Sequence, residues 1–427
     1  MIAIYIVVKK DFFRHWELIN MKILQINNTD LPGARFNGYN LMENCLAEGY
    51  DIKQIVIDKY SNNSKVVSLR DSVDTVSIYQ EYEAVHSIRN VIIPFGHKIM
   101  RMQEFLEADI IHYHLIHNGL LSLFDLPGML ARKRSVWTIH DPWIFTGHCI
   151  YPIECKKYLS GREKCDFLNR IFSIKEDNSH NMWMLKKQIF QQVHCDIVVA
   201  SNWMANLIKN SPLTNHWKKL HIIPFGIDLS LYKAAMGKRV ELRKKHNIKN
   251  DDIVLFFRSD RSEYKGLEYI KSMLRRLKTK KKIVLLNVGE KGLLNDFSVK
   301  YKVVEKGWLN DEKELALLYG MADMFLMPSK AEAFGVMAIE AMAANLPVVV
   351  MEGTALPDVV MAPRYGLSFP RYDVGNFTEI VKDLVENDDK RKMIGEKCGE
   401  LAEERYSEKL YFSRMLDLYH QILEEIP

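Results

Sequence analysis

The sequence predicts an α/β protein made of two doubly wound parallel sheets that follow one another along the chain. From Met21 onward, short β-branched runs alternate with longer helical patterns. That is how parallel strands joined by crossover helices read. The strand-like runs fall into two sets of five or six, which argues two Rossmann-like sheets rather than one. A length of 427 residues leaves room for two or three domains, each with its own core.

In chain order, the first set of strands is expected at 22–27, 52–57, 109–113, 135–139, 196–200 and 221–223. The second set is expected at 253–257, 282–287, 302–304, 324–327 and 347–351. Helical periodicity lies between them at 38–48, 202–209, 266–278, 311–320 and 377–386. The boundary belongs at Pro224-Phe225-Gly226-Ile227-Asp228, where a strand runs out into turn residues and a basic helical stretch, Gly237–Asn250, follows. The expected division is therefore 21–228, 229–406 and a terminal helix in 407–427. That helix has apolar positions from Leu410 to Leu423 and no strand after it, so it must pack on something already built. Residues 1–20 precede the first strand without a clear turn. They read as a non-native extension from an upstream start, or as an extra strand.

Composition excludes several classes. Hydrophobic residues make up 48% and charged residues 26%, which is ordinary for a globular chain. The net charge is +5, divided as +3 over residues 1–230 and +2 over the rest, so no basic half exists to hold nucleic acid. Six thinly spread cysteines do not make a disulfide framework, and a reducing cytoplasm is the expected location. The apolar run Met1–Val8 is too short to span a bilayer.

The richest segment for chemistry is 328–343, Pro-Ser-Lys-Ala-Glu-Ala-Phe-Gly-Val-Met-Ala-Ile-Glu-Ala-Met-Ala. A helix beginning near Phe334 puts Glu332 in the loop at its mouth and Glu340 in its second turn. Gly335 in the first turn leaves backbone N–H groups open to an anion. A capped helix with one solvated carboxylate is the plainer reading of the same residues.

Glu332 and Glu340 with seven residues between them, Phe334-Gly335 after the first, then Glu340-Ala341-Met342-Ala343 and a Pro347-Val348-Val349 strand resemble the motif of family 4 retaining glycosyltransferases. The resemblance extends to Pro224–Asp228, Lys265-Gly266, Leu318-Tyr319 and Ala322-Asp323, and covers about Lys22 to the C-terminus. It implies the GT-B fold, with two Rossmann-like domains facing across a cleft and a last helix crossing back to the first. It implies that Glu340 accepts hydrogen bonds from the ribose of a nucleotide sugar and that Glu332 contacts the donor sugar. The N–H groups near Phe334 and Gly335 would hold the donor phosphates.

A departing diphosphate also needs cations. Arg258 and Lys265 follow the strand 253–257 at the end where such folds bind ligands. The family spaces its Arg and Lys five apart; here they are seven apart, with Arg261 as a rival four before Lys265. A solvated surface is the plain reading of Arg261. In the first domain the family has a glycine-rich turn near the donor. This chain has Gly33 and Gly38 there, within Asn27–Tyr39, and Pro32-Gly33-Ala34-Arg35-Phe36 in place of a paired glycine.

His140 ends the strand 135–139, in His140-Asp141-Pro142-Trp143-Ile144-Phe145-Thr146-Gly147-His148-Cys149. This string resembles a branch of the family found in bacterial exopolysaccharide clusters, and the resemblance places His140 close to the reactive carbon of the donor sugar. On residue type alone it is a structural histidine. His117-Asn118-Gly119 could line the acceptor side. Cys149, Cys155 and Cys165 beside His148 raise a metal question, but no Cys-x2-Cys knuckle supports it, and free thiols are the plainer reading. The segment 155–181, basic and aromatic, reads as an acceptor-binding or membrane-facing insertion or as a solvated loop.

The expected activity is hexosyl transfer from a nucleotide sugar, with retention and without metal or other cofactor. The expected acceptor is a polyprenyl-diphosphate-linked glycan of O-antigen, capsule or exopolysaccharide assembly. The expected place is the cytoplasm, peripheral on the inner face of the plasma membrane. A GT-B epimerase, a catalytically silent nucleotide-sugar-binding subunit and a membrane scaffold through residues 1–20 are the alternatives.

Overall fold

Seven strands form the first sheet of the computed structural model, which describes residues 21–70, 75–161 and 164–425. They are β1 (Lys22–Ile26), β2 (Asp51–Val56), β3 (Val66–Ser68), β4 (Ile110–Tyr113), β5 (Arg134–Thr138), β6 (Asp196–Val199) and β7 (Leu220–Ile222). Their spatial order is β3-β2-β1-β4-β5-β6-β7, and every pairing is parallel. Helices cover both faces of such a sheet, so its strands are apolar throughout rather than alternating. All four residues of β4 and of β6 are buried.

The second sheet holds β8 (Ile253–Ser259), β9 (Ile283–Gly289), β10 (Lys302–Glu305), β11 (Met324–Met327), β12 (Val348–Met351) and β13 (Leu367–Phe369). The order is β10-β9-β8-β11-β12-β13, again all parallel. Both sheets reverse their winding once, between β1 and β4 and between β8 and β11. The C-terminal ends of those strands are where open α/β sheets bind ligands. Residues 21–200, 204–223 and 412–425 form one unit, and 201–203 with 224–411 form the other. The fold class is thus two parallel-sheet, Rossmann-like units. The end of the last helix, Glu408–Glu424, belongs to the first unit, where the Tyr419 hydroxyl lies 2.6 Å from His112 Nδ1.

Several element boundaries differ from the sequence expectation. Two three-residue edge strands, β3 and β13, were not anticipated, although β7, of the same length, was. The helix expected to begin near Phe334 is Val336–Ala343, with Gly335 at its N-cap in the left-handed region (φ 98°). Gly335 therefore precedes the first turn. The basic stretch 237–250 holds one short helix, Arg239–Lys245, which is the second after a helix Leu229–Gly237 capped by Asp228. The extension assigned to residues 1–20 lies outside the described residues.

That second helix is not a solvated basic face. Arg243 is buried, donating to the carbonyls of Met321, Lys249 and Asp252 and to Asp323 Oδ2 at 2.5 Å. Asp323 also accepts from Arg239 at 2.6 Å and from the Val254 amide at 2.7 Å. One buried ion pair thus ties the helix to the starts of β8 and β11. Removing one partner strands the other charge, so Arg243→Met should cost about 3–5 kcal/mol of the second unit's stability. Chemical unfolding curves of the variant check this; an unchanged midpoint would refute it.

Candidate active site

In the second unit, the loops leaving β8 and β11 carry the charged residues that the sequence singled out. Gly266 adopts φ 71°, and a β-carbon there would lie 2.0 Å from the carbonyl oxygen of Pro328. Only glycine permits both the conformation and the approach. With the loops this close, Lys265 Nζ reaches Glu332 Oε1 at 2.6 Å, and the Lys330 amide donates to the Tyr264 carbonyl at 2.8 Å. Glu332 stands just before the helix 336–343, whose first amides have no intrahelical acceptor.

Glu340 lies deeper, in the same helix, and is fully buried. Its Oε2 accepts from the Tyr319 hydroxyl at 2.7 Å. Tyr319 belonged to the sequence motif, but its role as the support of this carboxylate was not foreseen. Phe334 is also buried, edge-on to Phe225 and Tyr406 at 5.2 and 5.9 Å. Its ring belongs to the core, so only its backbone is placed to serve an anion.

Exposure separates the three cations. The side chains of Lys265 and Arg258 are 24% and 32% exposed, and that of Arg261 is 76% exposed. Arg258 is held by Asp260 at 2.6 Å and lies over the ring of Trp308, 4.7 Å from its centroid. Among the described residues, Arg261 is paired with Glu290, at 3.0 Å. Trp308 and Asp260 were missed by the sequence reading; an exposed tryptophan in a loop after β10 was the available signal.

In the first unit, His140 stands two residues after the end of β5. His140 Nε2 lies 3.2 Å from His114 Nδ1, and the two rings stack at 5.4 Å. Asp141 caps a short 3-10 turn, Pro142–Phe145, by accepting from the Trp143 amide through Oδ1 at 2.9 Å. Its other oxygen accepts from His117 Nε2, also at 2.9 Å. Burial alone would raise the Asp141 carboxyl; His117 and the Trp143 amide hold it below the usual range. Beneath the turn, Lys186 is buried and donates to the carbonyls of Trp143 (2.6 Å) and Thr146 (2.9 Å), its ammonium 3.6 Å from the Trp143 ring centre. Burial pushes that ammonium well below the usual lysine range. Nothing in the sequence separates Lys186 from its neighbour Lys187.

Gly33 has φ 79° in the turn after β1, and Phe36, in that turn, lies 5.8 Å from the His140 ring. Cys149, Cys155 and Cys165 line one cavity of about 50 Å³ with His148, whose Nε2 is 3.3 Å from Cys165 Sγ. Among the described residues, no three His, Cys, Asp or Glu side chains are gathered as a metal ion requires. Nor does any described helix have the length and apolarity to cross a membrane.

Two family profiles match the chain. The one described as Glycosyltransferase Family 4 covers residues 39–231, and the one described as Glycosyl transferases group 1 covers 238–399. Among curated relatives is WcaC of Escherichia coli K12, whose name assigns it as a glycosyl transferase to colanic acid biosynthesis. It is 22% identical over 59% of this chain and 62% of its own length, so the match leaves over a third of that relative unspanned. An uncharacterized 41.2 kDa protein in the cps region of Klebsiella pneumoniae is 26% identical over 76% of this chain and 81% of its own. Among solved structures, Anabaena HepE in complex with UDP and glucose superposes with a TM-score of 0.63 and 14% identity. That superposition covers 94% of this chain and all of that one. At that identity the likeness shows the fold.

The buried His112 and the partly buried His140 set an acid limit on the first unit. Burial holds His112 down to about 3 and His140 down to about 4, against an ordinary 6.5. As pH falls below 6.5 the unfolded chain takes up these protons and the folded one does not. The stabilisation is complete above that pH and is lost as pH falls towards about 4. Melting temperature should therefore drop by several degrees between about pH 7 and about pH 4.5. His112→Asn should flatten the slope; a wild-type profile without slope would contradict the neutral, buried state.

Proposed function

The chain belongs to the family 4 glycosyltransferases, and from that premise we propose that it moves a hexose-type residue from a nucleotide sugar to a glycan hydroxyl, with retention. The observation that carries the reading is the Lys265–Glu332 ion pair at the mouth of the helix 336–343, with Glu340 buried behind it. A cation, a carboxylate and unpaired helix amides together suit a sugar diphosphate: the amides and Lys265 take the phosphates, and Glu332 takes the sugar hydroxyls. Glu340, steadied by Tyr319, is the ribose acceptor. Arg258 is the second phosphate cation, and the adjacent Trp308 ring offers a face to the base. Arg261, largely exposed, contributes least.

The bond between the anomeric carbon and the phosphate oxygen breaks, and its electron pair leaves on the diphosphate. The acceptor hydroxyl attacks from the same face, and its proton passes to the departing phosphate oxygen. Lys265, Arg258 and the helix N-terminus stabilise the growing negative charge, the task a metal ion performs in other transferases. His140 is the first unit's catalytic residue in this reading, and the turn holding Gly33 admits the donor. The acceptor is a polyprenyl-diphosphate-linked glycan in surface polysaccharide assembly, reached at the inner face of the plasma membrane. Support comes from the colanic acid and cps relatives. The chain after Cys155 adds to it, carrying Lys156, Lys157 and Lys164 along with the exposed Leu159 and Ile171.

Three measurements test this. Glu340→Ala should weaken nucleotide-sugar binding by about 1.5–3 kcal/mol in calorimetry; wild-type affinity would remove the ribose assignment. Lys265→Ala should lower turnover about 10²–10³-fold, with Arg258→Ala less damaging and Arg261→Ala least. Turnover should also survive exhaustive EDTA; loss restored by magnesium or manganese would contradict the metal-free step.

A further inference from the structure

We propose that the cavity at the N-terminal ends of β8, β9 and β10 is a second anion site, apart from the donor site, and that it takes a phosphate group bringing its own O–H donor.

Charge along the chain points to this place first. Residues 238–306 hold 20 lysines and arginines against 9 aspartates and glutamates, a net +11 where the whole chain carries +5. The remainder is therefore net negative, and the excess is local. The fold gathers part of it on one concave wall. A cavity of about 440 Å³ is lined by Lys249, Lys281, Lys282, Lys300 and Lys302, with Asp252 as the one carboxylate among the described lining residues. Ile253, Ile283 and Lys302 open the three strands there. Lys265 and Glu332 follow the opposite ends of β8 and β11. The seven residues of β8 put roughly 20 Å between its two ends.

Two of the five ammonium groups are pinned. Lys302 Nζ donates to the carbonyls of His246 and Asn247, both at 2.6 Å, and Lys300 Nζ to that of Leu277 at 3.2 Å. These carbonyls close the helices Arg239–Lys245 and Leu267–Arg276. Cations suit helix C-termini, but that task does not exhaust them. An ammonium has three donors, so Lys302 keeps one and Lys300 keeps two. Lys281 stands 3.4 Å from Asp388, a loose pair. Lys249 and Lys282 are exposed and have no acidic partner among the described residues. Like charges gathered in this way repel one another, and an anion placed among them relieves that cost.

Asp252 selects the anion. It is buried, and its Oδ2 accepts from the Lys249 amide at 2.8 Å. Its Oδ1 has no hydrogen-bond partner among the described residues. A carboxylate oxygen only accepts. It opposes an anion that has acceptors alone, such as sulfate. It suits one that carries an O–H, such as hydrogen phosphate or a hydroxyl-bearing phosphate ester, because the resulting bond is charge-assisted. The lysines draw any anion, and the carboxylate turns the site towards phosphate.

Calorimetric titration of the full-length protein with inorganic phosphate, and separately with sulfate at equal ionic strength, tests this. Wild type should bind phosphate on the order of tenfold more tightly than sulfate, the difference one charge-assisted hydrogen bond makes. Asp252→Asn can still accept from the Lys249 amide and should close the gap between the two anions. Lys249→Gln combined with Lys282→Gln, both exposed positions, should weaken phosphate binding several-fold. Lys265→Ala, which removes the proposed donor cation, should leave this binding in place. Absence of phosphate binding, equal affinity for both anions in wild type, or binding unchanged in the double lysine variant would overturn the proposal, as would its loss in Lys265→Ala. If Asp252→Asn does not fold, the wild-type ratio and the lysine variant decide. Cosedimentation with phosphatidylcholine vesicles carrying phosphatidic acid separates the sources of such a group. Vesicles held by wild type and released by the double lysine variant place it on a lipid; vesicles not held, with phosphate bound, place it on a soluble molecule. None of these readouts needs donor, acceptor or turnover, so they stand apart from the transferase reading.

Discussion

The contact between Lys265 and Glu332 is the constraint from which the second unit's site follows. It exists because the chain after β8 and the chain after β11 are in direct contact, the Lys330 amide on the Tyr264 carbonyl and Gly266 against the Pro328 carbonyl. A side chain at Gly266 would part the two loops, and Lys265, Glu332 and the start of the helix 336–343 would lose their common frame. The ammonium–carboxylate pair then performs two tasks. It offsets the partial burial of both charges, and it keeps a cation fixed where a diphosphate is to arrive. A half-buried pair of this kind contributes little net stability, so its value is in geometry.

The first unit solves a different problem with the same economy of parts. The charged residues of its candidate site are held by a histidine, an amide and carbonyls rather than ion-paired with lysine or arginine. Asp141 spends one oxygen on a turn and the other on His117, while Lys186 binds the carbonyls of that turn from below. The turn is consequently fixed on both sides, and His140, one residue earlier, inherits that rigidity. Tyr419, from the last helix, completes the row through His112. The return of the chain's end to this unit therefore bears on its polar interior as well as on its apolar core.

Much of this was legible in the sequence because parallel strands buried on both faces are continuous apolar runs. Val348–Met351 and Ile253–Phe257 could hardly be anything else. The loop residues Lys265, Glu332 and Glu340 were legible through a spaced motif. The edge strands Val66–Ser68 and Leu367–Phe369 were not, each a three-residue run with a single buried residue, whereas the equally short Leu220–Ile222 was marked by the turn residues Pro224–Gly226 after it. The helix Asp388–Arg405 was hidden for another reason. Its buried positions mix Ile394, Cys398, Leu401 and Ala402 with Gly395 and Gly399, which pack close to Asn345, so glycines interrupt its apolar stripe. Lys186 and Arg243 were illegible because a buried cation and a solvated one have the same letter. What distinguishes them is the ring of carbonyls that only the fold supplies.

The claim most in need of a direct test is that Lys265 waits for a diphosphate while Glu332 holds it. Calorimetric titration of UDP, GDP and ADP into wild type and Glu332→Gln measures this without any acceptor. Removing the carboxylate frees the ammonium and removes a repelling charge, so at least one nucleotide should bind several-fold more tightly to the variant, while sugar transfer is impaired. If no nucleotide binds wild type, or if the one that does binds Glu332→Gln more weakly, Lys265 is not the phosphate cation and the account of this site is wrong.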